Sequence, residues 1–300
     1  MSVAVTDVAS AAATSPADSA TVRARARRGL RTYFAVLLIV SAALEGWIIA
    51  HGGLGGAWAW MVLPLMYTPT LASIVARLAG REGFGDVSFR WGGAVGTRAS
   101  VTAWLLPVAV GLIAYGVAWA SGLAEFAMPS GGMLAGMTAP IPRFLAMIPV
   151  ALTVGTLQSC ISAFGEEVGW RGYMVPRLVE AGVPHADILS GLIWCVWHVP
   201  LILWGGYAVG EYPLLSAVLF VASIMPVALL YFRWRMASGS VWPAVIAHGS
   251  WNVVIQGVFD RYTQGAHAAT WTGESGVLTV LVMWGVFLVL RRARWAGTLT

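Results

Sequence analysis

A short charged stretch lies in the middle of a long apolar segment of this 300-residue chain: Phe164-Gly165-Glu166-Glu167-Val168-Gly169-Trp170-Arg171. An ionised carboxylate among apolar neighbours is costly, so such a group usually finds a partner or serves a chemical function. On a helix, Glu167 and Arg171 share a face because they are four residues apart, whereas Glu166 points about 100° away from Glu167. We therefore expect Glu167 and Arg171 to form a structural ion pair and Glu166 to be free for a reaction.

The composition around this stretch is that of a membrane protein. The chain is 58% hydrophobic and 10% charged, whereas a soluble domain carries about 25% charged residues. Eight apolar runs are present, and all but the last have roughly the 17 to 28 residues that cross a ~30 Å hydrocarbon core. The runs are 33–50, 57–78, 101–121, 148–175, 188–204, 214–232, 242–259 and 277–290. They predict an all-α, polytopic membrane helical bundle of about eight transmembrane helices.

The domain organisation follows from these runs. Residues 1–31 lack hydrophobic periodicity and end in five arginines, which predicts a disordered basic N-terminal tail. Residues 32–292 predict a single transmembrane domain, with the polar motifs inside residues 145–260, and residues 293–300 predict a short C-terminal tail. A signal peptide cleaved near residues 41–43 is the alternative for the first run. An uncleaved span is preferred because the run is long and its basic flank starts late.

The arginines are distributed unevenly between alternate connectors. If the N-terminus is cytoplasmic, only Arg143 and Arg261 of the 18 basic residues fall on the outer side. This split is what the positive-inside rule predicts for an even number of spans. It indicates an integral, multi-pass protein of the cell membrane with both termini cytoplasmic. It also accounts for a pI near 9.6 without a nucleic-acid partner.

Two further polar pairs lie inside apolar runs. Trp194 and His198 are four residues apart in the fifth run, and His248 and Asn252 have the same spacing in the seventh, so each pair shares one helix face. At 1.5 Å per residue, His198 and His248 lie roughly 17 and 12 Å from the cytosolic ends of their helices. If the fourth helix ends at Pro176, Glu166 lies roughly 14 Å from its cytosolic end. The three polar faces are therefore expected at one level.

Three motifs in this order, Glu166-Glu167-x-x-x-Arg171, Trp194-x-x-x-His198 and His248-x-x-x-Asn252, resemble those of the CAAX-protease and bacteriocin-processing family of intramembrane endopeptidases. The resemblance covers about residues 145–260. It implies hydrolysis of a peptide bond in a membrane-associated, in some members prenylated, peptide or protein near the cytoplasmic leaflet. The bilayer and a peptide or protein substrate are the partners this implies.

The resemblance also implies roles for single residues. Glu166 and His198 hold and activate the attacking water, and His248 and Asn252 stabilise the oxyanion. The family usually has Phe where this chain has Trp194, which implies a reshaped cavity wall around the same chemistry. A protease of this kind predicts a wide cavity between the fourth, fifth and seventh helices, open to the cytosol and sideways to lipid.

No cofactor is expected, and zinc is the alternative. Glu166, His198 and His248 contain the two histidines and one glutamate of a catalytic zinc site, with water as the fourth ligand. Two features argue against zinc: the chain has no H-E-x-x-H motif, and no carboxylate is obvious from spacing that would orient the histidines.

Two other function classes remain open. A catalytically silent relative could act as a bacteriocin-immunity or scaffold protein, although intact motifs argue against it. A proton-coupled transporter could use Glu45, Glu166 and His198 as a relay, although the chain lacks a matched pair of interrupted helices in its two halves. Glu45 itself is expected to bind a neighbouring helix near the outer side.

Overall fold

The computed structural model describes residues 16–293, and this range is almost entirely helical. Its α-helices are α1 Pro16–Ala50, α2 Val62–Met66, α3 Thr68–Gly80, α4 Gly93–Ser121, α5 Pro140–Val150, α6 Thr156–Gly169, α7 Val175–Glu180, α8 Ala186–Pro200, α9 Pro213–Ser238, α10 Trp242–Trp251, α11 Ala268–Trp271 and α12 Val277–Leu290. Two short strands, β1 Glu125–Phe126 and β2 Thr263–Gln264, pair antiparallel. Short 3-10 turns occupy Gly53–Gly55, Ala59–Met61, Gly85–Val87 and Asp260–Tyr262. The predicted all-α architecture is confirmed.

Seven of the eight apolar runs lie in helices throughout, and the second is helical apart from turns at residues 57–58 and 67. Within the described residues, six helical stretches are long and apolar enough to cross a membrane: Asp18–Ala50, Ala59–Gly80, Gly93–Ser121, Pro140–Glu180, Ala186–Gly205 and Pro213–Ser238. The seventh run is helical over residues 242–259, and the eighth forms the shorter α12. The chain is therefore a polytopic membrane bundle, as its composition predicts.

Four π-helical segments interrupt these helices: Ala151–Gly155, Trp170–Met174, Leu201–Gly205 and Asn252–Phe259. The last three begin within or just after the three polar motifs. A π turn moves each hydrogen-bond acceptor by one residue, and such turns recur at functional sites. The second of them lets the fourth span continue to Glu180, beyond Pro176, where we expected it to end. Pro176 lies in the first turn of α7, where its missing N–H is tolerated.

The helices form a closed ring of neighbours. Contacts join α1 to α3, α3 to α6, α6 to α10, α10 to α4, α4 to α12, α12 to α9 and α9 to α8, and the π segment after α8 contacts α1. Glycines allow α6 to approach both of its neighbours closely. A Cβ at Gly169 would lie 2.2 Å from the carbonyl carbon of Pro69 in α3, and one at Gly249 would lie 2.8 Å from Cys160 Sγ. The helix with the first motif is thus held tightly between α3 and α10.

The arginine-rich connectors meet at one end of the bundle. Arg177 lies 2.6 Å from Glu82 and 2.7 Å from Asp86, and Arg25 lies 3.2 Å from Glu82. Arg235 donates a hydrogen bond to the Asp86 carbonyl at 2.8 Å. The opposite end holds the β1–β2 pair, which joins the connector after α4 to the connector after α10. This grouping is the one that the alternation of arginines predicts.

Part of the segment expected to be a disordered N-terminal tail is helical. Residues 16–31 are the first turns of α1, because alanine and arginine are strong helix formers. Side-chain contacts also anchor this segment: Arg25 binds Glu82, and Arg27 donates to the Ala181 carbonyl at 3.4 Å. Residues 1–15 and 294–300 lie outside the described residues, and the division into one domain and two tails stays a prediction.

Glu45 lies in α1 and is only 7% exposed. It lines an apolar cavity of about 650 Å³ between α1 and α8. Its Oε1 atom has no hydrogen-bond partner within residues 16–293, so the expected bond to a neighbouring helix is not made by this atom.

Candidate active site

The first motif forms the ion pair that its spacing predicts. Arg171 Nη1 lies 2.9 Å from Glu167 Oε1, one helical turn away, and both side chains are buried. The guanidinium carbon of Arg171 also lies 4.3 Å from the Trp194 ring centroid and 4.8 Å from that of Tyr231. A guanidinium over an aromatic face is attracted by the ring quadrupole. Arg171 therefore links the first motif to α8 and α9.

Glu167 has a second partner on α10. His248 Nδ1 lies 3.0 Å from Glu167 Oε1, the same oxygen that binds Arg171. Since a carboxylate accepts hydrogen bonds, Nδ1 of His248 carries the proton, and Nε2 is the nitrogen that remains for other groups. Glu167 therefore joins the first and third motifs directly.

Glu166 is 1% exposed and is held by two indoles. Its Oε2 accepts hydrogen bonds from Trp170 Nε1 at 3.2 Å and from Trp194 Nε1 at 2.9 Å. A phenylalanine at position 194, which the resemblance described above implies is usual, would lack this donor. The second motif therefore contacts the first through Trp194.

His198 lies in an aromatic enclosure. The centroid of its ring is 4.8 Å from Trp197, 5.1 Å from Phe220 and 5.6 Å from Tyr207, and the Tyr207 ring is stacked on it. His198 Nδ1 lies 2.9 Å from the Trp194 carbonyl. A carbonyl only accepts, so Nδ1 carries the proton and Nε2 is left as the acceptor.

Trp194 is the centre on which the predicted site residues converge. Its ring centroid lies 5.8 Å from that of His198 and 5.6 Å from that of His248, and its indole binds Glu166. Asn252 lies one turn beyond His248 and is half-buried. Within the described residues, the Asn252 side chain has no hydrogen bond to Glu166 or to either histidine. The structure thus joins the other predicted residues and places Asn252 beside them.

Within the described residues, the expected wide, open cavity does not reach Glu166, His198 or His248. Glu166, His198 and His248 are at most 8% exposed. Large side chains fill the space between the motif helices; they are Trp170, Trp194, Trp197, Phe220 and Tyr231. The polar groups therefore lie in a closed, dry environment, in which hydrogen bonds and charges act strongly.

The residues present give the zinc alternative little support. Both histidines do have the oriented Nδ1 atoms that metal ligands require, and Glu167 is a carboxylate partner that spacing alone did not reveal. However, within residues 16–293, no group of three or more His, Cys, Asp or Glu side chains is arranged to hold one metal ion. Glu166, His198 and His248 therefore do not fit a zinc site as they stand.

One carboxylate near the site was not predicted from the sequence. Glu274, in the connector before α12, is 6% exposed and accepts hydrogen bonds from Tyr207 at 2.6 Å and from Trp251 at 2.7 Å. Tyr207 stacks on His198, and Trp251 precedes Asn252. The sequence signal for Glu274 is weak, because the residue lies in a connector where no helical spacing relates it to a motif.

Comparisons with known proteins agree with the three motifs. A family model described as type II CAAX prenyl endopeptidase Rce1-like matches residues 148–254, which include all seven predicted site residues. The chain is also similar to CAAX prenyl protease 2 of Methanococcus maripaludis, with 31% identity over 94 residues. That alignment covers 29% of this chain and 34% of the relative, so the chain spans about a third of the relative's length. The resemblance is thereby confirmed: residues 148–254 of this multi-pass membrane chain are similar to the type II CAAX prenyl endopeptidases of the Rce1-like family.

Proposed function

We propose that this protein is an intramembrane endopeptidase that hydrolyses a peptide bond of a membrane-associated peptide or protein by activating a water molecule. The observation that carries the proposal is the joining of all three motifs through Trp194 and Glu167. One buried ion pair would be enough to hold two helices together. Here an additional carboxylate and an additional histidine, Glu166 and His198, are buried beside that pair.

In this proposal Glu166 is the general base. Its Oε2 is occupied by two indole donors, so Oε1 is the atom that accepts a proton from the water. The Nε2 of His198 accepts the second hydrogen of the same water and orients it. The water oxygen attacks the carbonyl carbon, and Glu166 later passes the proton to the leaving amine as the C–N bond breaks. A positioned base of this kind contributes about 10²–10⁴-fold to the rate.

His248 and Asn252 stabilise the negative oxygen that forms in this attack. Nδ1 of His248 donates to Glu167, and a hydrogen bond to the oxyanion requires a second donor at Nε2. An imidazole that donates from both nitrogens is positively charged, and the adjacent Glu167 carboxylate stabilises that charge. The Asn252 amide is the second donor. Preorganised donors of this kind are each worth a few kcal/mol in a site without bulk water.

The reaction is proposed to occur near the cytoplasmic leaflet. The arginine-rich end of the bundle faces the cytosol by the positive-inside rule, which places both termini on that side. A substrate held in the membrane reaches the closed site by movement of the aromatic side chains that fill it. A lipidated substrate, for example a prenylated one, suits this location, and the bilayer is the other partner.

Cleavage of quenched-fluorescent peptides, lipidated and unlipidated, by the purified protein in detergent tests the proposal. Glu166→Gln is expected to lower turnover by at least about 10²-fold while peptide binding persists. Glu180→Gln is the matched control, because this partly exposed glutamate pairs with Arg177 at the arginine-rich end of the bundle. Equal turnover in wild type and Glu166→Gln would refute the proposed chemistry. Peptide binding without turnover in the wild type would instead favour a scaffold or immunity protein.

Adding a metal chelator to the same assay tests the expectation that the reaction needs no cofactor. Unchanged turnover with chelator is expected for a glutamate-activated water. Loss of turnover that zinc restores would assign Glu166, His198 and His248 to a metal and overturn the water mechanism as written.

A further inference from the structure

The carboxylate of Glu274 lies outside the matched residues 148–254 and binds two elements of the site at once. Its Oε2 accepts from the Tyr207 hydroxyl at 2.6 Å, and its Oε1 accepts from Trp251 Nε1 at 2.7 Å. Both carboxylate oxygens of Glu274 thus accept a hydrogen bond. Glu274 therefore connects the segment after α8 to the end of α10.

The Glu274 connector is itself fixed to the bundle. The Ser223 hydroxyl of α9 donates to the backbone carbonyl of Glu274. Gln256 donates to the Tyr207 hydroxyl at a longer distance, 3.5 Å. Side chains of α9 and α10 thus bind this connector, so the carboxylate is held in place and is not a mobile surface group.

Tyr207 connects Glu274 to the second motif. Its ring stacks on His198 at 5.6 Å with an interplanar angle of 27°, and both rings contact Phe220, at 5.9 and 5.1 Å from its centroid. Tyr207 and Glu274 also line a cavity of about 630 Å³ at the end of the bundle that holds β1 and β2. The phenol ring therefore lies between His198 and that cavity.

Trp251 connects Glu274 to the third motif. It is the last residue of α10, it immediately precedes Asn252, and it is 4% exposed. Its indole bond to Glu274 fixes the helix at the point where the π segment begins. The same carboxylate is therefore connected to the histidine of the second motif and to the helix of the third.

We propose that Glu274 is a positioning residue that holds Tyr207 against His198 and holds Trp251 beside Asn252, and that Tyr207 separates His198 from the outer cavity. The expected effect of Glu274 on catalysis rests on the proposed protease function. Its expected effect on the packing of His198 is independent of that function, so the two effects are measured separately.

The packing is measured by modification of His198 with diethylpyrocarbonate, located by mass spectrometry of the detergent-purified protein. His198 is 8% exposed, and His267, whose side chain is 66% exposed, is the internal reference. Glu274→Gln and Tyr207→Phe each weaken or remove the phenol–carboxylate bond while keeping the volume of the side chain. Each is expected to raise the His198 modification rate about two- to tenfold, the factor that losing one hydrogen bond gives. Glu180→Gln, a change at the arginine-rich end of the bundle where Glu180 pairs with Arg177, is expected to leave it unchanged. Unaltered modification of His198 in both variants would overturn the proposal, whether or not a substrate has been found.

Turnover is then compared in the same variants. Glu274→Gln and Tyr207→Phe are each expected to lower kcat about tenfold or more with little change in KM, because a small misplacement of a reacting group is costly. The double variant is expected to be no worse than the poorer single variant, since both act through one bond. Additive losses would show that the two residues act independently and would contradict a shared positioning function.

Discussion

Glu167 Oε1 receives two cationic or proton-donating groups at once, Arg171 Nη1 at 2.9 Å and His248 Nδ1 at 3.0 Å. The three side chains are buried. This one oxygen therefore balances the charge of Arg171 in the fourth span, and it also orients the imidazole of His248 on α10. The expected structural ion pair therefore also belongs to the site.

Glu167→Gln is expected to reduce both stability and turnover. The amide keeps the shape of the side chain, but it leaves the Arg171 guanidinium without its charge partner, which for buried pairs costs about 3–5 kcal/mol. Loss of the carboxylate that orients His248 is expected to lower kcat/KM about 10–100-fold. Thermal unfolding in detergent and peptide cleavage measure the two effects.

The double variant Glu167→Gln with Arg171→Gln separates these effects. Removing both charges is expected to recover part of the stability but not the turnover, because His248 still lacks its carboxylate. Wild-type turnover in Glu167→Gln would show that the orientation of His248 does not depend on this bond.

Trp194→Phe tests the indole that holds Glu166. The variant removes a 2.9 Å hydrogen bond to a buried carboxylate, so we expect a loss of stability of about 1.5–3 kcal/mol. Turnover is expected to persist within about tenfold, because the Trp170 bond to Glu166 remains. A melting temperature equal to that of the wild type would contradict a structural contribution from this bond.

Asp260, just beyond the end of the seventh helix, gives the stability a pH dependence. Burial raises the pKa of this carboxyl from its ordinary value of 3.8 to about 7, the Glu274 charge adds to the rise, and the hydrogen bond from Tyr115 opposes it. The folded protein therefore keeps a proton that the unfolded chain loses, and stability is expected to fall as pH rises from about 4 to about 7.

Asp260→Asn removes this titration. Melting temperatures in detergent between pH 5 and pH 8 are expected to fall less in the variant than in the wild type. Parallel pH profiles for the two proteins would mean that another group carries the dependence.

Gly169→Ala tests the close approach of α6 and α3. The new Cβ would lie 2.2 Å from the Pro69 carbonyl carbon and 2.4 Å from its oxygen, which are backbone atoms that cannot move without shifting α3. A destabilisation of about 1–3 kcal/mol or more is expected from this overpacking.

Gly116→Ala in α4 is the matched control, because nothing lies within 4 Å of its Cβ position. It is expected to leave the melting temperature unchanged or to raise it slightly, by the ~0.4–1 kcal/mol typical of a compatible Gly→Ala change. Equal effects of the two substitutions would contradict the packing described here.

The sequence predicted the bundle and most of the site because both depend on local spacing. Hydrophobic runs determine the helices, and four-residue intervals place Glu167 with Arg171 and Trp194 with His198 on shared faces. The common level of these faces was expected from equal depth along the helices, whereas the contacts of Trp194 with Glu166 and both histidines were not. The hydrogen bond between Glu167 and His248 did not follow, because its two ends are 81 residues apart and no periodicity relates them.

The remaining differences have physical causes that the sequence shows only weakly. Residues 16–31 are helical since alanine and arginine favour helix even where no apolar face is present. Pro176 fails to end its helix because the preceding π segment changes the hydrogen-bond register. Glu274 lies in a connector, and its position depends on contacts with Ser223, Tyr207 and Trp251 that form only in the folded chain.

The π segments also determine how this chain responds to changes in length. A π turn contains one residue more than the α turn that could replace it, so deleting one residue from Trp170–Met174 would allow the helix to close as a regular α-helix. Because the α turn covers nearly the same angle with one residue fewer, the helix beyond the deletion would keep roughly its orientation relative to Glu166 and Glu167, whereas a deletion in a regular α turn would rotate it by about 100°. Arg177 would then still face Glu82 and Asp86, which it contacts at 2.6 and 2.7 Å. Deletion of one residue after Arg171 in this segment is therefore expected to be less damaging than deletion of one residue from the regular turns of α6, so the π segment is the part of this span that tolerates a change in length.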